Sequence, residues 1–275
     1  MKFKYLIIAF SIIIVIVILV TVLLPTILSE TDILVSFRFI TFPLLILVAV
    51  LLVLMSLFFF LNYRLFSLLE REDWPALAYY LEQKIYSKRK YTDRNVRLLA
   101  SSYLVISDFS SVINLESKTQ LAKPALVSQN VLIFGAARIL SGAYAEAAAF
   151  FMKHMKKCRK TDSQWVHWYY GFSNLLAGNF LVTEPEFITL AESCDDAVIT
   201  GLSAYFLYSS LEKKSQNREI CRQASEKGRE RVTRAFKNPE SWKKETDKMK
   251  SDIHAAIIRK YIETTGIWLF AETNE

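Results

Sequence analysis

The chain has 275 residues, 52% of them hydrophobic, with seven glycines, six prolines and a formal net charge of +7. This composition excludes a disordered chain, a collagen-like chain and a turn-rich β-sandwich, which need more polarity or more turn residues. The apolar residues are unevenly placed: positions 1–63 hold only 16 residues outside the AVILMFWYC set, and the other 212 positions have an ordinary soluble composition.

Tyr5 to Leu28 is a charge-free run of 24 residues, and Phe39 to Leu61 is another of 23. As helices rising 1.5 Å per residue, both exceed a hydrocarbon core of about 30 Å. The first run is too long for the apolar part of a signal peptide, and no small-x-small cleavage site follows it, so two retained transmembrane helices are predicted. Neither run contains an ionisable residue, which favours an anchor over a channel or transporter. Lys2 and Lys4 precede the first run, and Arg64, Arg71, Lys84 and Lys88–Lys90 follow the second. The short connector 29–38 holds Glu30, Asp32 and one arginine. This bias places both termini and the main domain in the cytoplasm and the connector outside. The expected division is a transmembrane hairpin over 1–63 and a cytoplasmic all-α domain over 64–275, with a basic C-terminal segment from about 213.

Past residue 63 one pattern recurs: a small residue, six residues, a turn residue, one residue, then an aromatic. It occurs as Ala100…Ser107-Asp108-Phe109, Gly135…Gly142-Ala143-Tyr144 and Gly171…Gly178-Asn179-Phe180, with a half-copy at Glu72-Asp73-Trp74. The turn positions 72, 107, 142 and 178 are spaced by 35, 35 and 36 residues. A helical hairpin explains the pattern. The small residue admits a second helix, the turn residue ends the first helix in a left-handed conformation, and the aromatic packs at the base of the second. Ala147 and Val112 are placed to face Gly135 and Ala100. A hairpin cannot bury both apolar faces alone, so neighbours are expected to stack into a solenoid.

The segment 135–151, with Gly135, Gly142, Tyr144, Glu146-Ala147 and Phe151, resembles the tetratricopeptide (TPR) repeat family, and Tyr103 matches that family's first-helix tyrosine. The resemblance covers about residues 64–190. It lacks the proline that closes a repeat, and its period is one or two residues long; related helical repeats are the alternative. It implies a TPR-like α-solenoid that binds protein partners. Two N-terminal spans followed by repeats also resemble, in layout only, the bacterial two-span repeat proteins associated with heme biosynthesis.

Beyond 190, Asp195-Asp196 can cap a helix through Gly201, Tyr205 and Leu211. Asn238-Pro239-Glu240-Ser241 restarts a last helix carrying Ile253, Ile257, Tyr261 and Trp268, suited to covering the end of a repeat array. Residues 213–260 hold 15 Lys/Arg against 7 Asp/Glu, and 153–160 hold five basic residues. An acidic partner, nucleic acid or an anionic lipid surface would suit these charges, and a solvated helix with interspersed acids is the competing expectation. Nucleic acid is not expected, because no basic-aromatic interleaving is present.

Trp165, Trp168 and Phe172 fall on one stripe, and register places them with Leu132 and Ile139 on the inner face of the repeats. Two readings compete: an apolar partner-binding groove, or a core packed on the C-terminal helix. Trp74, just past the second apolar run, reads as the packing aromatic of its half-copy. Cys158, Cys194 and Cys221 lie far apart and His154, His167 and His254 are scattered, so no disulfide framework, metal site or cofactor is expected. No catalytic constellation stands out. The function expected is a non-enzymatic membrane-anchored adaptor or scaffold. The alternatives are an accessory or catalytic subunit of a membrane biosynthetic pathway, or a sensor of anionic lipid surfaces.

Overall fold

A computed structural model describes residues 34–215 and 217–271, and among these the chain is all-α, with no strand. The apolar run at 5–28 lies outside the described residues. The chain divides into two compact units, residues 1–80 and 81–275. The composition shift at 63 is not a structural boundary, because one helix runs through it.

In the first unit, α1 (Leu34–Glu70) is continuous from within the expected connector to nine residues past the expected end of the second run. Its portion Ile46–Glu70 is, among the described residues, the one helix long and apolar enough to cross a membrane. A turn over 71–73 leads into α2 (Trp74–Glu82), where Asp73 accepts the amide of Ala76 at 3.1 Å, as an N-cap should. Trp74 is half-buried at the start of that helix.

The second unit continues with α3 (Asp93–Val105), α4 (Phe109–Ala122), the short α5 (Pro124–Gln129), α6 (Val131–Leu140), α7 (Tyr144–His154), α8 (Ser163–Leu176), α9 (Phe180–Ser193), α10 (Ala197–Phe206), α11 (Arg218–Ala235), α12 (Pro239–Asp247) and α13 (Ile253–Phe270). Thr92, Asp108, Asp196 and Asn238 cap α3, α4, α10 and α12 through side-chain oxygens that accept first-turn amides.

The four expected turn positions share one backbone solution. Glu72, Ser107, Gly142 and Gly178 have φ of 54°, 59°, 78° and 79°. At each, the turn residue's amide bonds the carbonyl three residues back, and the next amide bonds the carbonyl five residues back: Gly142 to Ile139 and Ala143 to Arg138, for example. This is the Schellman motif, which satisfies the last carbonyls of a helix while reversing the chain. It joins α1 to α2, α3 to α4, α6 to α7 and α8 to α9.

Within two of these pairs a glycine lets the helices close. The ring of Phe151 lies against Gly135, and Phe187 Cε1 would stand 2.7 Å from a β-carbon on Gly171. The side chain nearest each glycine is therefore an aromatic sixteen positions on, nearer to Gly135 than Ala147, which is itself buried. The sequence also reads the C-terminal segment as one helix. The structure breaks it at 248–252, with a 3₁₀ turn over Lys248–Ser251, and Asp252 stands at the head of α13. The buried stripe of α13 is Ala255, Ile258, Ile262, Thr265 and Leu269, one position round from Ile257, Tyr261 and Trp268, which are half-buried.

Candidate functional site

The Trp165 stripe is interior. Trp168 and Phe172 are 0% and 2% exposed and stack at 4.9 Å, and Phe187 of α9 and Phe206 of α10 also pack against Trp168. Trp165, 8% exposed, meets His254 of α13 at 5.4 Å, and Tyr261 of α13 meets Phe172 edge-on at 5.5 Å. Tyr169 stacks on Phe151 and donates its hydroxyl to the carbonyl of His254 at 2.7 Å. Ile139 is buried and Leu132 half-buried. The expected groove is thus filled by the chain's own last helix, which also packs on α6, α10 and α11. A large aromatic stripe loses most by staying wet, so an amphipathic helix in the same chain covers it. Burial holds the His254 imidazole below its ordinary pKa.

An open apolar concavity lies between α12 and α13. This cleft of about 830 Å³ is floored by Trp242, Met249, Ile262 and Phe270, and bordered by Lys243 and Asp247 on α12 and by Arg259 and Glu263 on α13. Ile267, 74% exposed, stands at its edge. Trp242 is locked between two helical glycines: a β-carbon on Gly266 would be 2.7 Å from its Nε1, and one on Gly201 3.0 Å from its Cη2. Sequence reasoning missed this cleft. Its available signals were a tryptophan just after the Asn238-Pro239 helix start and two glycines inside apolar helices.

The basic C-terminal segment is largely consumed by the fold. Arg231 donates to the carbonyls of Ala191 and Cys194, each at 2.8 Å, and so closes the C-terminus of α9. Arg229 donates to the carbonyls of Leu269 and Ala271 at the end of α13. Cations there satisfy orphan carbonyls and complement the helix dipole. Arg222, Arg234 and Lys248 pair with Glu219, Glu230 and Glu245 on their own stretch of chain, and Lys227 pairs with Glu192.

Two polar pairs, one half-buried and one buried, join side chains of neighbouring helices. Arg138 forms an ion pair with Glu116 at 2.6 Å while lying over the Phe150 ring. His154 Nδ1 shares a hydrogen bond with Ser128 Oγ at 3.1 Å, and its Nε2 has no partner among the described residues. Burial first, then Lys153, Lys157 and Arg138, push the His154 pKa down to about 4, so the ring is neutral near pH 7. The thiols of Cys158, Cys194 and Cys221 are free, and burial raises each pKa. Among the described residues no three His, Cys, Asp or Glu side chains converge as a metal site would need.

The described residues define an all-helical protein built from helical hairpins, with an open apolar cleft between α12 and α13. The chain belongs to the family described as "Uncharacterised Treponema protein", which matches residues 111–271. That match takes in the turns at 142 and 178, the aromatic interior and the cleft, and leaves α1 outside. A relative from Treponema pallidum (strain Nichols), described as "Uncharacterized protein", is 27% identical over 216 residues, 76% of this chain and 69% of the relative. No solved structure matches the chain.

Proposed function

We propose that this protein is a membrane-anchored, TPR-like helical-repeat adaptor that holds a protein partner at the cytoplasmic face. The observation that carries the reading is the recurrence of one Schellman turn at 72, 107, 142 and 178, with a glycine–aromatic contact inside two of the hairpins. Helical hairpins repeated at a near-constant period are the unit from which α-solenoids stack.

The length and apolarity of Ile46–Glu70 support an anchor, and the run at 5–28 supports a second crossing. The lysines and arginines flanking the two runs support the cytoplasmic placement. With the aromatic stripe covered by α13, partner binding is assigned to the α12–α13 cleft instead. Its apolar floor between two charged borders suits a short amphipathic segment of a partner, apolar residues inward and charges to either side.

A photo-crosslinking residue placed at Ile267 or Lys243 in the full chain, in its native membrane, tests this assignment, with exposed Leu121 as the control position. One protein adduct of the same mass from the two cleft positions and none from Leu121 is expected. Adducts formed equally at all three positions, or to lipid alone, would contradict it.

A further inference from the structure

Three inter-helix connections of the second unit are pinned to one another. Lys123, between α4 and α5, donates its ammonium to the carbonyl of Tyr91 at 3.0 Å. Arg159, in the connection after α7, pairs with Asp93 at 2.8 Å, and Asn130 donates to the same carboxylate at 2.9 Å. Segments 88–93 and 153–162 and residue 123 therefore form one edge, with nine basic side chains and two acidic ones. Asp93 is already engaged by Arg159, and Asp162 accepts the hydroxyl of Thr161.

The contrast with α11 is chemical. There, arginines cap helix ends or pair with neighbouring glutamates. Here Lys88, Arg89, Lys90, Lys156 and Lys157 are exposed and make no ion pair among the described residues. The loop is nonetheless ordered: the amides of Lys88 and Lys90 bond the carbonyls of Gln83 and Lys84, and Asn95 holds the carbonyl of Lys90 at 2.9 Å. Like charges crowd one another, as the lowered pKa of Lys84 records: burial is its first cause, followed by Arg94, Lys90 and Lys88. An edge held rigid against its own repulsion gains most from an anionic counterpart.

We infer that this edge, built from the connections at 88–93, 123 and 153–162, is a docking surface for the anionic headgroups of a lipid bilayer. Seven of the nine cations are lysines, compact point charges that suit a fluid array of phosphates rather than one bidentate ligand. Lys88 follows the end of α1 by eighteen residues, so the chain tethers this edge to any bilayer that holds α1. The inference rests on reading α1 as a membrane anchor.

The full chain in lipid nanodiscs tests it, with lysine acylation at each site read by mass spectrometry. Discs of phosphatidylcholine alone are compared with discs containing roughly one-third phosphatidylglycerol. Lys88, Lys90, Lys156 and Lys157 should acylate at least about fivefold more slowly on the anionic discs, the partition expected from a single interfacial charge. The protection should disappear at about 0.5 M salt, where the Debye length is short. Lys243 and Lys244 should acylate equally on both discs. In the variant carrying Lys156→Glu and Lys157→Glu, both exposed, Lys88 should lose its protection too.

Equal acylation on both discs overturns the inference and leaves the anchor standing. A chain that fails to enter either disc overturns the anchor, and the inference with it. Protection on neutral discs by inorganic phosphate, or by a short DNA duplex, equal to that from phosphatidylglycerol would reassign the edge to soluble anions or nucleic acid and overturn the lipid assignment.

Discussion

Phe187 sets the edge of its ring against the backbone of Gly171, where a β-carbon would stand 2.7 Å from Cε1. The Thr183 hydroxyl sits between the carbonyls of Gly171 at 3.3 Å and Asn179 at 3.1 Å, and can donate to either. The distance between α8 and α9 therefore depends on the absence of a side chain at 171. Gly171→Leu should lower the thermal midpoint of the full chain in detergent, at a cost of about 1–3 kcal/mol or more from overpacking. Leucine is the better helix former, so a glycine with free space around it would give the opposite sign. A raised midpoint would remove this contact from the account.

The left-handed turns predict a series of opposite signs. Ser107 carries φ 59° with a β-carbon, so Ser107→Gly should stabilise by up to about 1 kcal/mol. Gly142→Ala and Gly178→Ala should each destabilise by about 1 kcal/mol, although nothing lies within 4 Å of the added methyl. Thermal melts of the three variants read backbone strain with packing held apart. Three shifts of one sign would be incompatible with a shared Schellman geometry.

Much of this local chemistry was legible in the sequence. A left-handed turn needs a residue that tolerates positive φ, and here an aromatic follows two later, so that information sits within a few residues. The caps at Asp196 and Asn238 are legible for the same reason. The residue nearest Gly135 was not: Ala147 and Phe151 lie one turn apart on the same helix, and the packing of α7 brings the Phe151 ring closest. The choice of α13 stripe that faces inward also follows from distant elements. The Trp165 stripe has the same pattern whether it faces solvent or α13, and the tertiary fold decides. The charge excess of 213–260 could not show that Arg229 and Arg231 act on carbonyls about forty residues away.

Trp168→Ala should cost about 3–5 kcal/mol, the penalty for emptying a packed aromatic site. Trp165, at the edge of the cluster toward His254, should cost less on the same truncation. Denaturant unfolding of both variants checks the order. A near-neutral Trp168→Ala would mean that the Trp168 site among Phe172, Phe187 and Phe206 is not closed in solution.

His154 predicts a pH dependence. The unfolded chain takes up a proton on this ring below about 6.5, whereas the folded chain holds it neutral down to about 4. Between those values the unfolded state binds more protons, so stability falls as pH falls through the window. His154→Gln removes that contribution and should flatten the midpoint-versus-pH curve between pH 6.5 and 4.5. An unchanged slope would show that the imidazole is not held neutral.

Sidedness of the membrane tests the anchored-adaptor account most directly. A full chain tagged after residue 275 is followed in sealed vesicles of both orientations, after alkaline carbonate has removed peripheral protein. The account predicts that the chain stays in the membrane pellet and that protease removes the tag only where the cytoplasmic face is outward. Extraction by carbonate, or loss of the tag from the opposite face, would contradict it.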